Sequence, residues 1–165
     1  MAAALLKLRA DQAGAPISVA SAGVLAEGVP ADPHVVSVVR EYGVDLTAKR
    51  SRLIEPGLIS GADLVLTMTT AHARRIIGEQ PDSRDRVFTL RDFVSLASME
   101  GPRPKAITID QWLANIAERR TADYGLDTPE IEFDDPIGEP RKAFEALALD
   151  LDKTLEWLVR LLNLA

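Results

Sequence analysis

No cysteine occurs in these 165 residues. That absence excludes disulfides, thiolate metal sites and thiol nucleophiles for the chain as written. Histidine is nearly as scarce: His34 and His72 lie far apart in sequence, each reads as a surface or helix-side residue, and no metal or other cofactor is expected. Aromatic residues are few, at 5%. No apolar run approaches the ~20 residues of a membrane-spanning helix. The opening Met1-Ala2-Ala3-Ala4-Leu5-Leu6 lacks the basic stretch of a signal peptide. A soluble cytoplasmic protein is the expectation. The net charge of −6 argues against nucleic acid or an anionic membrane as the main partner, while leaving room for a local basic patch. No Gly-rich phosphate loop links a strand to a helix, and no Gly-x-Ser-x-Gly elbow occurs; Ser21 has no histidine near it in sequence.

What is present is organised around Ala62-Asp63-Leu64-Val65-Leu66-Thr67-Met68, a short, almost unbroken apolar run between Ser60-Gly61 and Thr69-Thr70. An alternating strand would be half-buried; a continuous run predicts burial on both faces, as in a parallel strand between helix layers. Thr69 or Thr70 is placed to cap a following helix.

Along the chain, residues 2–11 read as a helix with Leu5, Leu6 and Ala10 on one face, opening without a capping residue. Residues 17–21 alternate as a strand. Asp32-Pro33 starts a helix with Val35, Val36, Val39 and Tyr42 inward, and Gly43 closes it at C′. Residues 44–53 form a polar loop carrying Lys49, Arg50 and Arg52, either simply solvated or facing an anion. After the central strand come a helix at 71–80 stopped by Pro81, a strand at 87–90, a short helix at 92–98 and an amphipathic helix at 110–120. Residues 121–140 form a long acidic loop without a basic residue. Pro140 opens the last helix, with Phe144, Leu147, Leu151, Leu155, Leu158 and Leu162 at helical spacing. Strands alternating with helices predict an α/β fold, a parallel sheet with helices on both faces, in a single domain.

The chemistry concentrates at Asp134-Asp135-Pro136-Ile137-Gly138. Adjacent carboxylates repel, which favours a proton on one of them. A proton-bearing carboxyl on a loop is what a general acid requires. Pro136 biases Asp135 toward extended backbone and so helps to aim it. The alternative is an acidic loop favoured by the positive end of the last helix. No nucleophile accompanies this acid.

Several pieces resemble the low-molecular-weight protein-tyrosine phosphatases. They are Ser21-Ala22-Gly23, Pro30-Ala31-Asp32-Pro33, Tyr42-Gly43-Val44-Asp45, Lys49-Arg50-Ser51-Arg52, the run from Ala62 to Thr69, and Asp135-Pro136-Ile137-Gly138. The resemblance implies a three-layer αβα fold and hydrolysis of phosphorylated proteins, phosphotyrosine above all, through a cysteinyl-phosphate. It implies that Asp135 protonates the leaving group and that Ser21 supports the phosphate loop. Lys49 stands where the family often has His, and Ile137 where it often has an aromatic; both are possible substrate contacts. The family begins with a strand and a Cys-x5-Arg loop, so the first central strand and the nucleophile are expected upstream of residue 1. The domain as given is then N-terminally truncated and inactive. Its body either awaits that segment or serves as a non-catalytic binding module, a pseudoenzyme. An arsenate reductase would need further cysteines, and none occurs.

Overall fold

A computed structural model describes residues 1–120 and 129–162. The chain divides into two compact units. The first takes Met1–Ile54 and Asp135–Arg160; the second takes Glu55–Asp134 and continues at residues 161–162.

The first unit opens with α1 (Ala2–Gln12), whose N-cap Met1 provides no side-chain bond. Leu5 and Ala10 are fully buried. Burial of the terminal ammonium pushes its pKa below the ordinary value. α2 (Pro33–Glu41) forms as its ends dictate: the Asp32 carboxylate accepts the His34 N–H at 2.7 Å, and Gly43 takes φ +81°. Its inward face holds the expected Val39, Val35 and Tyr42 and adds Val38, which was not foreseen. Val38 and Val39 are buried, whereas Val36 is half-buried. Val38 packs with Phe144 and Ala148 of the last helix, and Met1, Val35 and Tyr42 cover this cluster. α1 and the last helix are joined by a two-point ion pair, with Arg9 Nε 2.7 Å from Asp152 Oδ1 and a second contact from Nη2 to Oδ2.

Residues 17–21 do not form a strand. Their side chains alternate between half-buried and exposed through Ala20, as the pattern requires. A strand, however, needs a hydrogen-bonded neighbour as well as a period, and no ladder pairs this segment among the described residues. Pairing starts just beyond, at single bridges between Gly23 and Leu53 and between Pro30 and Arg50.

In the second unit, α3 (Pro56–Ser60) was not foreseen. Its Pro56 sits where a helix tolerates proline. β1 (Val65–Thr67) is the core of the apolar run and pairs in parallel with β2 (Val87–Thr89), Val65 opposite Val87. β2 is wholly buried, but Val65 and Leu66 are only half-buried, against the expectation of burial on both faces. β1 has a strand on one side alone, so one of its edges is unpaired among the described residues. Between the two strands runs α4 (Thr70–Glu79), capped by the Thr69 hydroxyl, with Ala73 and Ile76 inward. α5 (Leu90–Glu100) is longer than predicted. α6 (Ile109–Glu118) carries a reciprocal capping box between Thr108 and Gln111. Phe88, Phe93 and Trp112 meet edge to face at 5.1 and 5.8 Å and give the unit its aromatic centre.

The last helix, α7 (Arg141–Leu162), starts directly after Pro140. Phe144, Leu151, Leu155, Leu158 and Leu162 are buried, as their spacing predicts. Of the acidic loop, residues 121–128 lie outside the described residues; its later part opens with a short 3-10 turn at Pro129–Ile131. The α/β class and the parallel sheet are as expected, and no strand precedes β1 among the described residues.

Candidate functional site

Asp135 is exposed at the head of a tight turn. Its Oδ1 accepts the Ile137 N–H at 3.0 Å. An aspartate bonding its own backbone two residues on forms an Asx turn, which fixes the side-chain direction without tertiary help. The Glu139 N–H bonds back to the Pro136 carbonyl at 2.9 Å, and Gly138 supplies the positive φ of +89°. One carboxylate oxygen is thus used for aim. The other, Oδ2, has no protein partner among the described residues and faces solvent chemistry. Ile137, two residues on, is 63% exposed.

Upstream of this turn lies an anchor that sequence reasoning missed. The Glu132 carboxylate accepts the Thr70 backbone N–H at 2.7 Å and the Thr70 hydroxyl as well. Thr70 begins α4, so the carboxylate meets the unpaired amides and positive end of that helix. These bonds, the hydroxyl first, hold the Glu132 pKa below the ordinary carboxylate value. The Glu132 carbonyl accepts Arg91 Nε at 2.9 Å, and the same guanidinium lies 4.1 Å over the Phe133 ring. The Phe133 N–H reaches the Met68 carbonyl at 2.9 Å, and its side chain is buried. Glu132 was one acid among many in the sequence; only a tertiary partner distinguishes it. Phe133, an aromatic residue flanked by Glu132 and Asp134 ahead of Asp135-Pro136, was the available signal.

Ser21 lies elsewhere in the first unit. Its side chain is exposed and its carbonyl accepts Arg52 Nε at 3.0 Å. Residues 49–54 form a splint along residues 21–30. Gly23 N–H bonds the Arg52 carbonyl at 2.9 Å, and Ile54 N–H bonds the Gly23 carbonyl at 2.9 Å. The Ser51 hydroxyl donates to the Ala26 carbonyl at 2.8 Å and accepts the Val29 N–H at 3.0 Å.

The basic loop is therefore largely spent on its own architecture. Arg50 Nη1 donates to the Thr47 and Lys49 carbonyls at 3.0 and 2.9 Å, and Arg52 serves Ser21. Lys49 is exposed, without a side-chain partner among the described residues. The structure thus couples Ser21 to the segment bearing Lys49, and couples Asp135 to Ile137. No hydrogen bond or ion pair joins the two pairs among the described residues.

With this geometry in view, the likeness to known proteins is direct. Residues 1–120 match the family model described as low molecular weight phosphotyrosine protein phosphatase. The chain belongs to that family. The matched span contains Ser21 and Lys49 and ends before Asp135. A probable low molecular weight protein-tyrosine-phosphatase, EpsP of Ralstonia solanacearum, is 34% identical over 117 residues, covering 70% of this chain and 78% of that protein. The protein-arginine-phosphatase of Bacillus subtilis (strain 168) is 41% identical over 96 residues, 58% of this chain and 63% of that one. Among solved structures, the YwlE arginine phosphatase from Geobacillus stearothermophilus superposes with a TM-score of 0.70 at 29% identity, covering 98% of this chain and 82% of its own. The fold is thus that of the low-molecular-weight phosphatases. Among the described residues no helix is long and apolar enough to cross a membrane.

Proposed function

We propose that residues 1–165 are the body of one phosphatase-like domain whose acid is Asp135 and whose attacking thiolate comes from a segment other than these residues. What supports the reading is a chain of this family that contains no cysteine and holds the exposed Asp135 carboxylate in an Asx turn just before Pro136. In this reading the thiolate attacks phosphorus, the bond to the leaving group breaks, and Asp135 gives its proton to the departing atom. Water then attacks the cysteinyl-phosphate and Asp135 takes the proton back. Ser21 buttresses the phosphate loop. The substrate is a phosphorylated protein side chain in a cytoplasmic setting. Phosphotyrosine and phosphoarginine are the two classes to compare, since relatives are named for each. Ile137 offers no ring face for stacking a phenyl group, so it discriminates less in favour of phosphotyrosine than an aromatic would.

The test is turnover of phosphotyrosine and phosphoarginine peptides. The chain alone should show none. Fusing a strand with a Cys-x5-Arg loop ahead of Met1 should restore it. Asp135→Asn should then slow release of the leaving group by about 10²–10⁴-fold. Turnover by the cysteine-free chain, or a rate indifferent to Asp135→Asn, would overturn the assignment.

The second reading, a phosphopeptide-binding pseudoenzyme, draws support from the absence of cysteine and from the exposed Lys49; Arg50 and Arg52 each commit one nitrogen to loop carbonyls. Absence of phosphopeptide binding at low salt would remove it.

A further inference from the structure

We infer that Arg52 is the positioning residue for Ser21. The inference rests on the proposed role of Ser21 behind the phosphate loop, and it concerns how that residue is kept in place. Residues 17–21 have no ladder to hold them among the described residues. The nearest backbone pairing begins at Gly23, two residues beyond Ser21. Left to that pairing, the Ser21 peptide would be free to rotate. Arg52 closes the gap from both sides. Its backbone carbonyl receives the Gly23 N–H at 2.9 Å, and its side chain turns back so that Nε donates to the Ser21 carbonyl at 3.0 Å.

The residue type matters. A guanidinium Nε–H points along a fixed direction in a planar group, whereas an ammonium at the end of four methylenes has no preferred approach. The splint beneath is already rigid, because the Ser51 hydroxyl ties Ala26 and Val29, and the Gly28 N–H bonds the Ser51 carbonyl at 2.9 Å. Arg52 therefore starts from a stationary backbone, and its reach to Ser21 defines a place rather than a range.

The bond is exposed. Exposed hydrogen bonds contribute little to global stability, because water replaces them readily. A positioning role and a fold-holding role consequently part company, and the difference is measurable. The sample is the full 165-residue chain, labelled with ¹³C and ¹⁵N, as wild type, Arg52→Ala and Arg52→Lys. In Arg52→Ala the Ser21 carbonyl and Cα resonances and the Ala22 amide resonance should shift, because the lost bond is to the carbonyl of that peptide. Amide exchange at Gly23 and Ile54 should stay within about twofold of wild type, because their acceptors are backbone carbonyls. Arg52→Lys should return the Ser21 signals only part of the way. Ser21 signals that stay put in Arg52→Ala would overturn the inference. So would a loss of protection at Gly23 and Ile54 well beyond about twofold, which would make Arg52 a strut of the loop. Should the alanine variant not fold, Arg52→Lys reads the same signals. Failure of the phosphatase reading shows elsewhere, as absent turnover in the fused scaffold, so the two outcomes are separate.

Discussion

Replacing Glu132 by Ala should cost the second unit about 2–3 kcal/mol near pH 7. The figure comes from the groups the substitution strands. Thr70 is 1% exposed, and it would lose the partner of both its N–H and its hydroxyl. Each buried group left without a partner costs about 1–3 kcal/mol. The sum is discounted because Glu132 itself is half-buried, so water enters the vacated space and recovers part of the loss. The bonds are made to a carboxylate, and they lower its pKa in the folded state. The pH dependence therefore has a definite sign: the stabilisation is present above the unfolded carboxylate pKa of about 4.3 and is lost as pH falls through the lower folded value. Urea titrations monitored at amides of β2 and α5, from pH 7 to pH 3, measure this directly. The gap between wild type and Glu132→Ala should narrow as the pH drops below about 4. A difference under about 0.5 kcal/mol at pH 7, or one that does not change with pH, would refute the anchoring role.

Other changes have equally definite outcomes. Arg9→Ala leaves Asp152 buried at 7% exposure without its cation and should cost about 2–3 kcal/mol, less than a fully enclosed pair because Arg9 is partly solvated; urea unfolding monitored at α1 amides reads it. Gly43→Ala meets no atom within 4 Å but forces a side chain onto φ +81°, so it should lower stability by about 1–2 kcal/mol through strain alone, read as a fall in thermal midpoint. Phe133→Ala removes a buried ring and the guanidinium contact of Arg91, and should cost about 3–5 kcal/mol by urea titration of the same β2 and α5 amides.

Local chemistry was legible in most places where the residues concerned lie within a few positions of one another, the short α3 excepted. Asp32-Pro33 and Gly43 bracket α2 because a cap and a positive-φ terminator act on their own backbone. The buried leucines of α7 arise from a repeat of three and four. The Asx turn at Asp135 is similarly local, so the direction of the Asp135 carboxylate follows from Asp-Pro-Ile-Gly. Periodicity was less secure at α2, where Val38 joined Val39 in the core, because four valines in five residues leave the helix phase under-determined.

Pairing was legible in kind, as a parallel sheet, but not in extent. Residues 17–21 carry a strand's alternation and lack its partner, and β1 is a continuous apolar run that is only half-buried. Both depend on which segment lies alongside, and that information is distributed over the whole chain. The same reason hid Glu132, whose partner Thr70 is 62 residues away, and Arg52, whose partner Ser21 is 31 residues away. Residue order was enough for most of the helices, the caps of α2 and α4, the turn at Asp135 and the lack of a thiol. Tertiary structure alone decided which carboxylate became an anchor, which guanidinium a clamp, and which apolar stretch found a neighbour. A helix or a turn satisfies its backbone internally, whereas a strand or a long-range hydrogen bond is completed only by residues brought from elsewhere.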